Sequence, residues 1–386
     1  MPRRKPRRGV ETSASGGRHV PVLLTQVLEA LEPKDGATYI DATFGAGGYT
    51  RAILDAAECK VTAFDRDPTA IAGAVEMLSE YGERLRLLQS PFGDLYNLTS
   101  PDSEAGLRGA FDGVVFDLGV SSMQLDQPER GFSFQADGPL DMRMEGLGNL
   151  NTQQAGVGAR AGGREQVGVT GDAAEGSMGQ GDQAGLSAAD VVNTFEEADL
   201  ADIIFRLGEE KRSRAIAKAI VAQRADQPFS STLELANLIQ KVLGRGPPGK
   251  HPATRTFQAL RMFVNDELGQ LLHGLVGAER ALKPGGKLVV VTFHSIEDRI
   301  VKRFINSRCG KTEGVSRHMP VPAVPKHEPS FQIINSRSLT SSKDELEANP
   351  RARSARLRMA VRTDAPDWPL AEEDAAAFGI PRLRVG

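Results

Sequence analysis

The chain has only two cysteines in 386 residues, Cys59 and Cys309. They offer no disulfide framework and no metal-ligand spacing, which fits a reducing cytosol. No apolar run approaches the length of a bilayer span. The N-terminus is basic but lacks an apolar core, so it does not read as a secretory signal. A strong charge of one sign is also missing, since the formal net charge is −3. That argues against a uniformly basic nucleic-acid binder and leaves room for local patches. Arg3, Arg4, Lys5, Arg7 and Arg8 form one run; Arg351, Arg353, Arg356, Arg358 and Arg362 form another. Such runs suit phosphate contact, and equally a solvated tail or strand face. No nucleophile elbow and no Ser-His-Asp order occurs, which favours direct transfer over covalent catalysis. His318 and His327 stand without partners at ligand spacing, so no metal site is expected.

What is there starts at residues 38–49, Thr-Tyr-Ile-Asp-Ala-Thr-Phe-Gly-Ala-Gly-Gly-Tyr. An apolar strand ends in Asp41, and a turn follows with Gly45, Gly47 and Gly48. A helix then opens near Thr50. This order makes a nucleotide-type loop, because glycine lets backbone N–H groups come close to a ligand. The second strand, Lys60 to Phe64, ends in Asp65, placed to accept from a ribose. A carboxylate at Asp41 would repel a pyrophosphate and suit a ligand with an amino group. S-adenosylmethionine has that group, a sulfonium charge and no phosphate. A purely structural strand–turn–helix would need glycine for its backbone alone; Asp65 tips the reading towards a cofactor. A nicotinamide loop would need a third glycine at position 50, which is Thr.

From His19 onward the pattern is regular. A short helix ends at Pro33, and strands are expected at about 38–44, 60–65, 85–89 and 112–117, with helices between the first three. Alternation of this kind implies a parallel sheet covered on both faces. Asp41, Asp65, Phe92 and Asp117 then share one edge. Residues 146–185 hold twelve glycines among forty positions, with no aromatic residue between Phe134 and Phe195. This stretch cannot bury enough apolar surface to order itself and reads as a disordered insert. Apolar stripes at Leu200–Leu207, Ile216–Ile220 and Leu235–Val242 predict an all-helical subdomain. One long helix is expected from about Thr254 to Leu282, then a strand from Lys287 to Phe293. Residues 307–350 read as irregular, and Ala355–Val361 as a last strand.

Several residues could carry chemistry. Asp117 ends the fourth strand, and Gln124 lies seven residues on. His294, Ser295, Glu297 and Asp298 follow the fifth strand and would sit beside Asp117. His251 stands at the start of the long helix. Each has a bland alternative as a cap, turn or loop residue. The catalytic residue is open, with Asp117, His294 and Ser295 as candidates for holding a substrate amine.

With those segments placed, the chain closely resembles the bacterial small-subunit ribosomal RNA cytosine-N4 methyltransferase family, known as RsmH or MraW. The matching stretches include His19–Leu24, Asp41–Gly48, Asp65-Arg-Asp67, Asp117–Ser122 with Gln124-Leu-Asp126, and Arg130–Phe134. They continue with Leu140–Met144, His251–Leu260, Phe293–Lys302 and Asn349–Ser354. The resemblance implies an α/β class I S-adenosylmethionine-dependent methyltransferase, with a Rossmann-like sheet and an inserted all-α subdomain. It implies S-adenosylmethionine as methyl donor and a cytosine N4 in the decoding region of small-subunit ribosomal RNA as acceptor. The partner would be an assembled or late-precursor small ribosomal subunit in the cytoplasm, with no membrane and no metal. The family's cofactor contacts carry over to Gly47, Gly48, Tyr49, Asp65, Phe92, Asp117 and Gln124. Position 49 is usually histidine in the family, and the glycine-rich insert is not typical of it. The expected domains are a basic tail over 1–18, a methyltransferase domain over 19–124 and 254–362, a helical insertion over 125–253, and a C-terminal tail over 363–386.

Overall fold

The computed structural model describes residues 21–146, 185–246, 251–311, 327–371 and 373–383. The expected basic tail and nearly all of the glycine-rich insert lie outside the described residues. The first half alternates as the pattern predicts: α1 (Leu24–Leu31), β1 (Thr38–Asp41), α2 (Gly48–Ala56), β2 (Lys60–Asp65), α3 (Pro68–Ala72), α4 (Val75–Tyr81), β3 (Leu85–Gln89), α5 (Leu95–Leu98), β4 (Phe111–Asp117) and α6 (Ser122–Asp126). β4 reads Phe-Asp-Gly-Val-Val-Phe-Asp, and Gly113 to Phe116 are all buried. A continuous apolar run suits a strand covered on both faces.

The helical part holds α7 (Ala188–Thr194), α8 (Glu197–Gly208), α9 (Ser213–Asp226), α10 (Thr232–Leu243) and α11 (Thr254–Val264). α7 and α10 open on capping boxes, Ser187 with Asp190 and Ser231 with Glu234. Each box satisfies N–H groups that a helix start leaves unpaired. Leu200, Ile203, Ile204 and Leu207 are buried along one face of α8. A Cβ at Gly208 would lie 2.5 Å from the carbonyl oxygen of Arg255, so glycine permits the close crossing of α8 and α11.

The chain finishes with α12 (Glu267–Ala281), β5 (Leu282–Thr292), α13 (Ser295–Arg308), β6 (Phe331–Gln332), α14 (Lys343–Ala348), β7 (Arg356–Arg362) and α15 (Asp374–Phe378). The sheet order is β3-β2-β1-β4-β5-β7-β6. β1 to β5 run parallel, and β7 is antiparallel to both β5 and β6. One buried cluster joins one face of the sheet to the helical part, and a second covers the other face.

Four expectations change here. The helix from Thr254 to Leu282 is two helices, broken at Asn265 and Asp266, the latter at φ 45°. Asn265 is buried, and its Nδ2 donates to the Met142 and Arg261 carbonyls at 2.8 and 2.9 Å. Its Oδ1 accepts from the Met144 N–H at 2.9 Å. These contacts across the fold replace the helical bonds that the break gives up. α11 packs on α8 and α7, and α12 on α5 and β5. The fifth strand begins at Leu282, and its pairing with β4 shifts register at Pro-Gly-Gly. The region read as irregular contains β6 and α14. The C-terminal segment packs too. Phe378 is buried 5.7 Å from the Phe304 ring, and Arg308, paired with Glu279 at 2.9 Å, lies over the Trp368 ring.

Candidate cofactor and acceptor site

The carboxyl ends of β1, β2 and β4 open into a cavity of about 700 Å³. It lies where the strand order reverses between β1 and β4, the place where open α/β sheets bind ligands. Gly48, Tyr49, Asp65, Phe92, Asp117 and Gln124 all line it, and Gly47 does not.

The glycine loop is held from beneath. Asp41 is fully buried, accepting from Thr50 Oγ1 at 2.7 Å and from the Thr43 N–H at 3.1 Å. It is not on the cavity wall, so the expectation that it meets a ligand's amino group is replaced by a structural role. Burial pushes its carboxyl up to about 6. Gly47 caps α2 at φ 76°, and a Cβ there would strike Met77 and Phe44. Its N–H donates to the Phe44 carbonyl at 2.7 Å. A Cβ at Gly48 would strike Pro21. The buried Tyr49 hydroxyl donates to the Val22 carbonyl. Burial, with Asp117 and Asp41 nearby, holds that phenol well above its ordinary value.

Asp65 accepts from the Gly45 N–H at 2.7 Å and the Asp67 N–H at 2.8 Å. Its burial raises its pKa against those hydrogen bonds. Phe92 meets Phe116 edge to face at 5.6 Å. Asp117 donates its N–H to Thr43 Oγ1 at 2.7 Å, while its buried Oδ1 has no partner. Burial first, then Asp41 and Glu297, push its pKa well above the carboxylate range. An orphaned acceptor in a cavity wall is costly unless a ligand donates to it.

The sequence profile of the MraW methylase family matches residues 16–155 and 177–363. The chain belongs to this family. A ribosomal RNA small subunit methyltransferase H from Parvibaculum lavamentivorans is 51% identical to it, over 95% of each chain. One of the same name from Bradyrhizobium diazoefficiens is 48% identical, over 96% of this chain and 98% of that one. A solved rRNA methylase from Streptococcus thermophilus is 10% identical, covers 90% of this chain and 100% of that chain, and has a TM-score of 0.34. The family match skips residues 156–176, inside the glycine-rich insert.

In this family member, several wall residues escaped the reading of single positions. Arg66 lines the cavity and donates to the Asn265 carbonyl at 3.0 Å and to Glu145 at 2.9 Å. Gln124 Nε2 and Arg130 Nη1 both donate to Asp67 Oδ2 at 2.9 Å. Arg130 also donates to the carbonyls of Arg143 and Met144. The strings Asp65-Arg-Asp67 and Arg130-Gly-Phe were visible in the sequence, but nothing local shows that they meet. Phe293 completes the wall beside Gly119.

His294 and Ser295 are drawn elsewhere. His294 caps α13 by accepting from the Glu297 N–H, and its Nε2 lies 2.9 Å from Glu297 Oε1 without hydrogen-bond alignment. Ser295 Oγ donates to Glu209 at 2.7 Å, which ties α13 to the helical part. Of the three amine-holding candidates, only Asp117 is on the wall. His251 accepts from the Ala253 N–H and lies against Phe134, as a helix-start residue would. Glu267, His294 and Glu297 bring ligand atoms within 4.8 Å of one another, a convergence that spacing could not show. Arg261 already holds Glu267 through two hydrogen bonds of 2.6 and 2.8 Å. No helix among the described residues is long and apolar enough to cross a membrane.

Proposed function

We propose that this chain transfers a methyl group from S-adenosylmethionine to the exocyclic N4 of one cytosine in the decoding region of small-subunit ribosomal RNA. The observation that carries the reading is the 51% identity, over 95% of both chains, to a relative named ribosomal RNA small subunit methyltransferase H. The reading places the chain in the cytoplasm, acting on an assembled or late-precursor small subunit.

The wall's donor and acceptor set fits this cofactor. S-adenosylmethionine, when bound, supplies an electrophilic methyl group on a sulfonium centre. Asp65 keeps lone pairs for ribose hydroxyls beyond the two N–H groups that it already accepts. Phe92 offers an apolar edge beside the place for an adenine. Gly45 and Gly48 let the backbone come close to an amino acid end. Asp117 Oδ1 would accept an N–H from the ligand, whose positive charge would favour the ionised form that burial, Asp41 and Glu297 disfavour.

The acceptor base must leave its stack to enter the cavity. Leu118, Val120 and Phe293 also line the cavity and would hold the base plane and exclude water. By fixing the base plane, these residues would supply rate through positioning. The test is incubation of small subunits with labelled methyl donor and mapping of the modified base. Label on a cytosine N4 is expected, with far less in a short unstructured RNA. Label on another atom, or none, would overturn the reading.

A further inference from the structure

The second basic run does not form one face. Arg358 is paired with Asp298 through two hydrogen bonds of 2.7 and 3.0 Å. Arg362 is buried and donates to the carbonyls of Glu279 and Ser330. Arg353 and Arg356 are exposed, and neither has an acidic partner among the described residues. Their backbone is well anchored. Ala352, Ala355 and Leu357 are buried in the cluster that holds Tyr49, Met123 and Phe293. Leu339 and Leu357 exchange backbone hydrogen bonds at 3.0 and 2.9 Å, and Ser341 Oγ donates to the Ala352 carbonyl. β7 starts at Arg356 opposite Thr292, one residue before Phe293 of the cavity wall. Two exposed guanidinium groups therefore stand on a fixed segment beside Thr292 and Phe293, at the carboxyl edge of the sheet where the cavity opens.

Arg299 and Arg255, at the junction with the helical part, are already paired. Glu209 accepts from Arg299 at 2.7 Å, and its carbonyl accepts from Arg255 at 3.4 Å. Glu210 pairs with Arg255. Among the carboxylates of the adjoining helices, Glu297 accepts from the Phe293 and His294 N–H groups, Asp298 holds Arg358, and Glu345 of α14 accepts from the Leu23 N–H, while Asp344 and Glu347 of α14 are exposed. In a chain of net charge −3, an approaching polyanion meets free positive charge at this edge.

Resting on the ribosomal RNA reading above, we propose that Arg353 and Arg356 grip the RNA backbone phosphates that flank the target nucleotide and present its base over Phe293. Guanidinium groups contact phosphate through paired N–H donors and carry no base selectivity, so their work is to set register.

The test is binding of the full-length protein to small ribosomal subunits across a salt series. In the double variant Arg353→Ala/Arg356→Ala, the dissociation constant for the subunit should rise at least about tenfold. The dependence of log affinity on log salt should become shallower by about 1–2. Cofactor affinity and melting temperature should stay at the wild-type values, as should binding by Lys60→Ala at the opposite edge of the sheet. The charge-preserving Arg353→Lys/Arg356→Lys variant should keep most of the affinity. Wild-type affinity and salt dependence in the alanine variant would overturn the proposal. Absence of methyl transfer by the wild type would instead sink the reading of function, and the binding comparison would still decide whether the grip exists.

Discussion

Arg130 reaches Asp67 at 2.9 Å across 63 residues of sequence, and both side chains are shielded from solvent. Asp67 caps α3 after the acidic end of β2, and Gln124 donates to the same carboxylate oxygen. Arg130 in turn holds the carbonyls of Arg143 and Met144, and Met144 lines the cavity. One ion pair thus ties the strand-end loop to the segment that closes over it.

Breaking this pair should be felt in stability and in cofactor binding. Asp67→Ala leaves the Arg130 guanidinium without its partner, at a cost of about 3 kcal/mol or more. Burial alone would push the Asp67 carboxyl up, but hydrogen bonds from Thr69 and Gln124 and the charge of Arg130 bring it below its ordinary value. Its contribution is therefore present above the unfolded-state pKa and is lost as pH falls through the lower folded value. Thermal melts at pH 7 and calorimetry with S-adenosylmethionine measure both effects. A variant with wild-type melting and affinity would show that the closing segment needs no such tie.

Asp65→Ala should weaken S-adenosylmethionine binding by about 1–3 kcal/mol, the cost of leaving polar groups unpaired. Some of this comes from the Gly45 N–H, which loses its acceptor. A titration that returns the wild-type dissociation constant in a folded variant would remove Asp65 from the site.

Asp41 makes stability depend on pH. Its folded pKa of about 6 lies above the ordinary 3.8, so the folded state holds the proton more tightly than the unfolded chain. The stability that this supplies is full below the unfolded value and is lost as pH rises through about 6. Asp41→Asn should make the protein less sensitive by about 1–1.5 kcal/mol between pH 5 and pH 8. Denaturant titrations at the two pH values test this, and an identical drop in the variant would place the dependence elsewhere.

Removing residues 147–184 should leave a folded, active enzyme. The flanks already meet: Arg143 donates to the Gly185 carbonyl at 3.0 Å, and the Ala188 N–H donates to the Asp141 carbonyl at 2.7 Å. A short join between Gly146 and Gly185 therefore needs no rearrangement. Loss of methyl transfer at an unchanged melting temperature would instead give the insert a part in substrate binding.

The alternating strands, the glycine turn and the acidic strand ends were legible because their causes are local. A period of two or 3.6 apolar positions selects a strand or a helix. The capping pair Ser187 and Asp190 sits within one helical turn, so its cause is equally local. The edge that carries Asp65, Phe92 and Asp117 follows once those strands are taken as parallel.

Other features have partners far along the chain. Asp41 and Asp65 both end strands and look alike as letters. Thr50 and Thr43 close over the first, while the second faces the cavity. The helix break at Asn265 depends on Met142 and Met144, more than 120 residues earlier. Arg353 and Arg358 belong to one basic run, yet only Arg358 has Asp298 within reach. Local residue patterns set which segments become strands and helices and which strand ends carry carboxylates. Burial and pairing decided which of those charges are spent inside the fold and which remain for a ligand. Those depend on groups brought together by packing, which no local pattern encodes.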